Sequence, residues 1–361
     1  MTVRQDAFYM ARAIQLAKKG RYTTDPNPRV GCVLVRDDQI ISEGWHVKAG
    51  LGHAEVEALK HVTDANGATA YVTLEPCSHH GKTPPCCDAL IKAGVSRVVV
   101  AMQDPNPLVS GRGLEKLKVA GIEVICGVLQ EDARTLNRGF IKRMTENRPF
   151  VRSKLAMSLD GRTAMASGES QWITSAEARA DVHRLRAESS AILTGINTVL
   201  ADDPALNARV DWDVVQPVRI VLDSALTMPV TARMANLPGR RLILTCSQDE
   251  QKRQALQTVG FEVYRLASNH GRLDLPAVMD FLAQQQINEV LIEAGSLLNG
   301  ALLTENLLDE LVVYMAPCIL GDQGRGLFTV PGLQSMTDKK SLMLRDVRQV
   351  GTDLKLTLTP K

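Results

Sequence analysis

The 361 residues are 45% apolar and 23% charged, which suits globular cores in about two domains of ordinary size. The formal charge of +2, from 42 Lys+Arg against 40 Asp+Glu, and an aromatic content of 4% argue against a nucleic-acid partner, since neither a basic face nor a stacking platform is implied. No apolar run approaches the ~20 residues that span a bilayer, and the start of the chain reads as an amphipathic helix without a signal-peptide core. The seven cysteines are scattered apart from Cys77, Cys86 and Cys87, so metal or catalysis in a reducing cytoplasm is expected, and not a disulfide framework.

Residues 4–19 place Phe8, Ala11, Ala13, Ile14, Leu16 and Ala17 at helical spacing, and Gly20 stops that helix. Arg29–Val35 and Ile40–Trp45 read as a hairpin, followed by helix Ala54–His61, strand Ala70–Leu74, helix Asp88–Ala93 and strand Arg97–Met102. Helix Leu114–Ala120 and strand Ile122–Val128 complete a first α/β series. The polar stretch Thr145-Glu146-Asn147-Arg148-Pro149 reads as a linker, which divides the chain into domains 1–146 and 147–361. The second series runs from strand Phe150–Met157 through helix Ala176–Glu188 and strands Ala191–Thr194, Arg219–Leu222 and Arg241–Thr245. Helix Glu250–Val259, strand Glu262–Leu266, helix Leu275–Gln284, strand Glu289–Glu293, helix Leu297–Leu303 and strand Glu310–Ala316 follow, with a hairpin Leu344–Leu358 across Gly351 at the end. Strands alternating with helices predict an α/β layer structure in both halves.

The strongest chemical signal is His53-Ala54-Glu55 followed by Pro76-Cys77 and Cys86. One imidazole and two thiolates leave the fourth tetrahedral position of Zn²⁺ open to water, as catalysis requires. Bound zinc brings that water's pKa near ~7, and Glu55 is placed to take its proton and return it to leaving ammonia. Residues two apart converge at a helix's first turn, where side chains lean toward the N-terminus. Cys87 is adjacent to Cys86, and His79 and His80 lie between the cysteines, so the ligand set stays open at this point. A closed structural zinc site would leave Glu55 without a role.

Together with Thr73-Leu74-Glu75-Pro76-Cys77 after a buried strand, the set resembles the cytidine-deaminase-like zinc signature, with eight residues between the cysteines instead of two. The segment Pro76-Cys77-Ser78-His79-His80-Gly81-Lys82-Thr83-Pro84-Pro85-Cys86 is far more specific. With Asn27-Pro28-Arg29-Val30-Gly31 and Gln103-Asp104-Pro105-Asn106-Pro107, it resembles the bifunctional riboflavin-biosynthesis deaminase–reductases. Ser158-Leu159-Asp160-Gly161-Arg162, Ser170-Gln171-Trp172-Ile173-Thr174, Ala201-Asp202-Asp203-Pro204 and Glu293-Ala294-Gly295-Ser296 extend the resemblance through the second half.

The resemblance implies a cytidine-deaminase-like three-layer domain joined to a dihydrofolate-reductase-like domain, with Zn²⁺ and NADPH as cofactors. It implies hydrolytic deamination of 2,5-diamino-6-(5-phosphoribosylamino)pyrimidin-4(3H)-one, then reduction of the ribosyl group to give 5-amino-6-(5-phosphoribitylamino)uracil. A homodimer is also expected. The deaminase substrate would meet Asn27, His46, His79 and Lys82, although His46 also fits a surface histidine at a hairpin end. NADP would meet Ala156, Trp172, Thr198, Asp202, Ser224 and the turn Gly295, Ser296, Leu297, Leu298, Asn299, Gly300, Ala301. The reductase substrate would meet Ser170, Arg186, Leu206, Arg209 and Glu293, with Arg186 and Arg209 suited to a phosphate, while Lys154 on the first strand of that half fits either binding of the opened sugar or a solvent-facing strand end.

From the residues alone, the second half lacks a G-x-G-x-x-G fingerprint, and only the glycine turn at 295–301 opening a helix suggests an anion site. Trp172 fits core packing as well as a nicotinamide contact. Two readings of other classes are a nucleic-acid-editing deaminase, which needs a basic channel, and a zinc-stabilised binding module, in which Glu55 has no task.

Overall fold

The structure, a computed structural model, describes residues 2–78, 85–107 and 109–361. It divides into two compact units, Met1–Asn147 and Arg148–Lys361.

In the first unit α1 (Val3–Ala17) leads to the hairpin β1 (Gly31–Arg36) and β2 (Gln39–Trp45). The helix starts at a reciprocal capping box between Thr2 and Gln5. The hairpin turns through Asp37 and Asp38, both at positive φ, the geometry that matches the twist of paired strands. There follow α2 (Ala54–Lys60), β3 (Thr69–Val72), α3 (Cys86–Lys92), β4 (Arg97–Val100), α4 (Arg112–Val119), β5 (Glu123–Cys126), α5 (Gln130–Leu136) and α6 (Arg138–Glu146). The sheet runs β2-β1-β3-β4-β5, antiparallel around β1 and parallel from β3 to β5.

Side chains alternate across a strand, and here both faces are buried. Cys32 and Leu34 of β1 pack with Ala54 and Ala58 of α2, Leu90 of α3 and Leu117 of α4. Val33 and Val35 pack on the other side with Met10 and Ile14 of α1, Ala133 of α5 and Ile141 of α6. The result is three layers, helix–sheet–helix.

Helices α5 and α6 have no counterpart among the expected elements. They also correct the linker. Thr145 and Glu146 belong to the last turn of α6, and Asn147 ends it at φ 53°, so only 148–149 separate that helix from the next strand.

The second unit comprises β6 (Phe150–Ser158), β7 (Arg162–Ala164), α7 (Ala176–Glu188), β8 (Ala191–Gly195), α8 (Ile196–Asp202), β9 (Val218–Leu222), β10 (Arg241–Thr245), α9 (Glu250–Thr258) and β11 (Glu262–Arg265). It continues with β12 (Ser268–Asn269), β13 (Arg272–Leu273), α10 (Leu275–Gln284), β14 (Glu289–Ile292), α11 (Ser296–Thr304), β15 (Glu310–Ala316), β16 (Arg325–Gly326), β17 (Leu342–Val350) and β18 (Asp353–Pro360). Among the described residues the main sheet runs β11-β10-β9-β8-β14-β6-β15-β18-β17. It is parallel from β11 to β15, and the closing hairpin β17–β18 adds antiparallel.

Alternation again fills both faces. Leu193, Ile220, Leu242 and Ile292 pack with Val278 and Leu282 of α10 and Leu302 of α11. Ile192, Val221, Ile243 and Leu291 pack with Val182 and Leu185 of α7, Val199 of α8 and Leu256 of α9. Because the central strands are parallel, the loops after β6, β8, β9 and β14 all leave the same edge of the sheet. That edge, outside the carboxyl ends of the strands, is where ligands bind in such folds. Among the described residues no helix is long and apolar enough to cross a membrane.

Candidate active sites

Two helix starts and one loop build the first site. His53 is the N-cap residue of α2, in extended conformation, and its carbonyl accepts the first helical bond from Glu57 at 2.9 Å. Cys86 is the first residue of α3, after Pro85. Its backbone N–H donates to the Cys77 sulfur at 3.2 Å. The His53 Nδ1 lies 3.2 Å from the Cys86 Sγ and 3.6 Å from the Cys77 Sγ, and the three ligand atoms all lie within 4.8 Å of one another.

Tetrahedral zinc with bonds of about 2.0–2.3 Å separates its ligand atoms by about 3.5 Å, the scale found here. The donor set, one imidazole and two thiols, also fits zinc. Cys87 points elsewhere. Its thiol donates to the carbonyls of Pro76 at 3.2 Å and Gly113 at 3.5 Å, inside the core, where burial pushes it up to about 12. Of the open alternatives, the geometry gathers Cys86. His80, like His79 and Lys82, which the resemblance places near the substrate, lies outside the described residues.

Glu55, the second residue of α2, is 3% exposed, and burial pushes its carboxyl up to about 7. His46 is buried as well, which removes the surface reading. Its Nδ1–H donates to the Gly52 carbonyl at 3.0 Å and its Nε2 accepts from the Asn27 amide at 3.1 Å. These two bonds fix a neutral tautomer, and burial lowers its pKa. The ring meets His53 edge-on, with centroids 5.5 Å apart. The fold therefore brings Asn27 and His46 to the cluster.

Sequence reasoning missed Glu75. It is 4% exposed, and its carboxylate accepts four backbone N–H groups, from Asp104, Gly111, Gly113 and Leu114, at 2.8–3.4 Å. An acidic residue directly after a buried apolar strand and two positions before Cys77 was the available signal.

The second site gathers at the strand ends. Arg186 on α7 makes two parallel bonds to Glu293, Nε to Oε1 at 2.6 Å and Nη2 to Oε2 at 2.8 Å, and a third to the Asn207 carbonyl at 3.1 Å. The forked face of Arg186 is thus turned to Glu293. Burial alone would raise the Glu293 carboxyl, but Arg186 and Lys154 outweigh it and hold it low. Burial lowers the Lys154 ammonium, and Glu293 partly restores it.

Arg209 is exposed, reaches the Asn207 side chain at 3.3 Å, and donates its backbone N–H to His183 Nδ1 at 3.2 Å. His183 was not anticipated. Burial, Arg186 and Arg209 push it down to about 4. Leu206 is buried in the core at φ 44°, so its side chain packs inward.

The remaining expected cofactor residues divide. Ala156 lies on β6, Thr198 on α8 and Ser224 just beyond β9, where the Ser224 hydroxyl accepts the Leu273 N–H at 3.2 Å. Asp202 is exposed at the last position of α8. Trp172 is 69% exposed with the Arg179 guanidinium 4.5 Å above its ring, so core packing does not apply, and Ser170 stands two residues before it, half-buried.

Gly295 caps α11, with Gly295 and Leu297 exposed and Ser296, Leu298 and Ala301 half-buried. Asn299 and Gly300 are internal. Asn299 donates to the carbonyls of Ala294 at 2.8 Å and Gly295 at 3.1 Å and accepts from the Ser153 hydroxyl. A Cβ at Gly300 would collide with the Thr329 carbonyl. These two shape the turn and do not present side chains to a ligand.

The family model of the cytidine and deoxycytidylate deaminase zinc-binding region matches residues 3–102, and that of the RibD C-terminal domain matches residues 149–356. The riboflavin biosynthesis protein RibD of Escherichia coli (strain K12) is 52% identical over 98% of this chain and 99% of its own. The chain belongs to the RibD family. The Haemophilus influenzae protein of the same name is 47% identical, over 99% of this chain and 98% of its own.

The solved Acinetobacter baumannii RibD, form 1, matches at 47% identity with a TM-score of 0.94 and covers both chains fully. A Thermotoga maritima structure described as a diaminohydroxyphosphoribosylaminopyrimidine deaminase and 5-amino-6-(5-phosphoribosylamino)uracil reductase matches at 35% identity with a TM-score of 0.87, over 99% of each chain. The expected fold pair, cytidine-deaminase-like and dihydrofolate-reductase-like, is the observed one. This is a bifunctional enzyme of riboflavin biosynthesis, with a zinc-binding deaminase region and an NADPH-dependent reductase domain.

Proposed function

We propose that His53, Cys77 and Cys86 hold the zinc and that Glu55 carries the protons of deamination. The convergence of three ligand atoms within 4.8 Å beside a buried carboxyl carries this reading. Zinc bound there supplies the Lewis acidity that makes a water nucleophilic at neutral pH. Glu55 takes the proton of that water at a carboxylate oxygen and delivers it to the amino group that leaves C2 of the pyrimidinone as ammonia. Asn27 and the neutral His46 line the substrate side, with His79 and Lys82 assigned there on the resemblance alone.

In the reductase domain, bound NADPH would supply the hydride for reduction of the opened ribose at C1, the ribityl product also taking up a proton. Lys154, positioned by Glu293, bonds the sugar hydroxyls, and Arg186 acts by orienting Glu293. Arg209 meets the substrate phosphate, with Ser170 and the Leu206 main chain beside it. Ala156, Trp172, Thr198, Asp202, Ser224 and the exposed part of the 295–301 turn receive the cofactor. The domain division falls at residues 146/147. The substrate is a small phosphorylated pyrimidine, and the chain works in the cytoplasm, where its seven free cysteines stay reduced. Assembly as a homodimer belongs to the same proposal, and light scattering reads it directly.

The test is a coupled assay on the pyrimidinone phosphate. Glu55→Gln is expected to keep about one zinc per chain and to lose about 10²–10⁴-fold in ammonia release. NADPH consumption on the supplied deaminated intermediate should continue. A Glu55→Gln enzyme that still releases ammonia at the normal rate removes the proton-shuttle assignment.

A further inference from the structure

The peptide that carries Cys77 is gripped from two sides. On one side stands the start of α3, where the Cys86 N–H bonds the Cys77 sulfur and the Cys87 N–H bonds the Cys77 carbonyl, each at 3.2 Å. On the other side stand residues 104–107 and 109–114, tied to the strand end by Glu75. Its Oε1 accepts the N–H groups of Gly113 at 2.8 Å and Leu114 at 3.4 Å, and its Oε2 those of Asp104 and Gly111, each at 3.0 Å. The Glu75 N–H in turn bonds the Met102 carbonyl at 3.0 Å. Gly113 lies so close that a Cβ would strike the Pro76 carbonyl, and the Cys87 thiol bridges the carbonyls of Pro76 and Gly113.

A carboxylate is the side chain suited to this place. It offers about four lone-pair directions and no donor. Four peptide N–H groups converge on it, and charge-assisted bonds of this kind are roughly twice as strong as neutral ones. Glutamine has the same size but turns an NH₂ group toward two of the four donors.

We propose that Glu75 is a positioning residue of the metal centre, clamping Pro76–Cys77 against Asp104 and residues 111–114 so that the Cys77 sulfur is held at its ligating position. The inference rests on the zinc reading of His53, Cys77 and Cys86. Groups that orient metal ligands typically contribute 10–100-fold in metal affinity or activity.

The experiment uses the full chain, zinc ion and a chelating dye in competition, with wild type, Glu75→Gln and Gly113→Ala side by side. Glu75→Gln should weaken zinc about 10–100-fold and lower kcat for ammonia release, with little change in KM. Loading with Co²⁺ should shift the thiolate-to-metal absorption bands relative to wild type. Gly113→Ala keeps the carboxylate but crowds the same clamp, since the added Cβ would strike the Pro76 carbonyl and come within 3.1 Å of Glu75 Oε1, and it should weaken zinc in the same direction. It keeps the test open should Glu75→Gln fail to fold.

A role confined to stability predicts a lower Tm with unchanged zinc affinity and unchanged Co²⁺ bands in the folded variants, and that result overturns the proposal. If wild type itself binds no zinc, or Cys86→Ser binds as well as wild type, the underlying zinc reading fails instead.

Discussion

The deaminase unit concentrates its chemistry where the reductase unit spreads it. In the first, two helix starts and one loop bring an imidazole and two sulfurs within 4.8 Å, and each residue type has few other uses in such a cluster. In the second, Arg186 and Glu293 meet across 107 positions of sequence, because α7 packs on the face of the parallel sheet beside β14, whose end carries Glu293. A coordination site fails as a whole when one ligand goes. An electrostatic cluster of Lys154, Arg186, Arg209, His183 and Glu293 should degrade by steps, according to which charge is left uncompensated.

The largest expected effect lies at the adjacent cysteines. Cys86→Ser should take metal content from about one zinc per chain to near none and abolish ammonia release, as a missing thiolate leaves two protein ligands. Cys87→Ser should keep both, since its hydroxyl can still donate to the Pro76 or Gly113 carbonyl. Elemental analysis of the two purified variants decides it. Retention of zinc by Cys86→Ser with loss by Cys87→Ser would move the ligand by one residue.

Graded behaviour is expected in the reductase cluster. Arg186→Ala leaves the buried Glu293 carboxylate without its bidentate partner, a change of the kind that costs about 3–5 kcal/mol when a buried pair is broken. It should lower the melting temperature and reduction together. Lys154→Met removes a cation that burial already disfavours, so it should slow reduction with little loss of stability. Ammonia release should continue in both while the protein is folded. Equal thermal shifts in the two variants would contradict the pairing described here.

The same contrast decides what could be read from the chain. His53, Glu55, Cys77 and Cys86 carry their chemistry in residue type and short spacing. The strands of both sheets were legible because burial on two faces makes continuous apolar runs, such as Val98–Val100 and Val290–Ile292. Helices α5 and α6 were not, because tertiary contacts fix their junction. Asn137 sits between them, buried, and bonds both the N–H and the carbonyl of Arg29 at 2.8 and 2.9 Å, a pairing across 108 residues that no local pattern records.

In the reductase half, the resemblance supplied residue names without supplying their partners. Arg186 is bonded to Glu293, and Asn299 is folded inward under its own turn. His183 carries no motif, and it entered only when α7 was laid beside the Arg209 loop.

His183 gives the smallest effect and the sharpest check on the charge balance of that edge. Its folded pKa, near 4, lies below the ordinary value of 6.5 because of burial and the neighbouring Arg186 and Arg209, against which Glu293 acts only partly. The unfolded chain therefore binds a proton at this residue as pH falls through 6.5, while the folded chain stays neutral until about 4. Stability from this group is complete above about pH 6.5 and declines between there and about 4.

His183→Asn keeps an acceptor for the Arg209 N–H and removes the titration. Carboxylates such as Asp6, held low by Arg97, also lose stability as pH falls, so wild type alone cannot isolate the effect. The difference between wild type and His183→Asn can. It should be constant above pH 7 and shift in favour of the variant as pH drops to 4.5, by less than one full proton's worth because solvent screens a partly exposed ring. Denaturant unfolding at pH 7, 5.5 and 4.5 measures it. A flat difference curve would mean that His183 titrates normally, and that the excess positive charge placed around it by Arg186 and Arg209 is neutralised by a group other than Glu293.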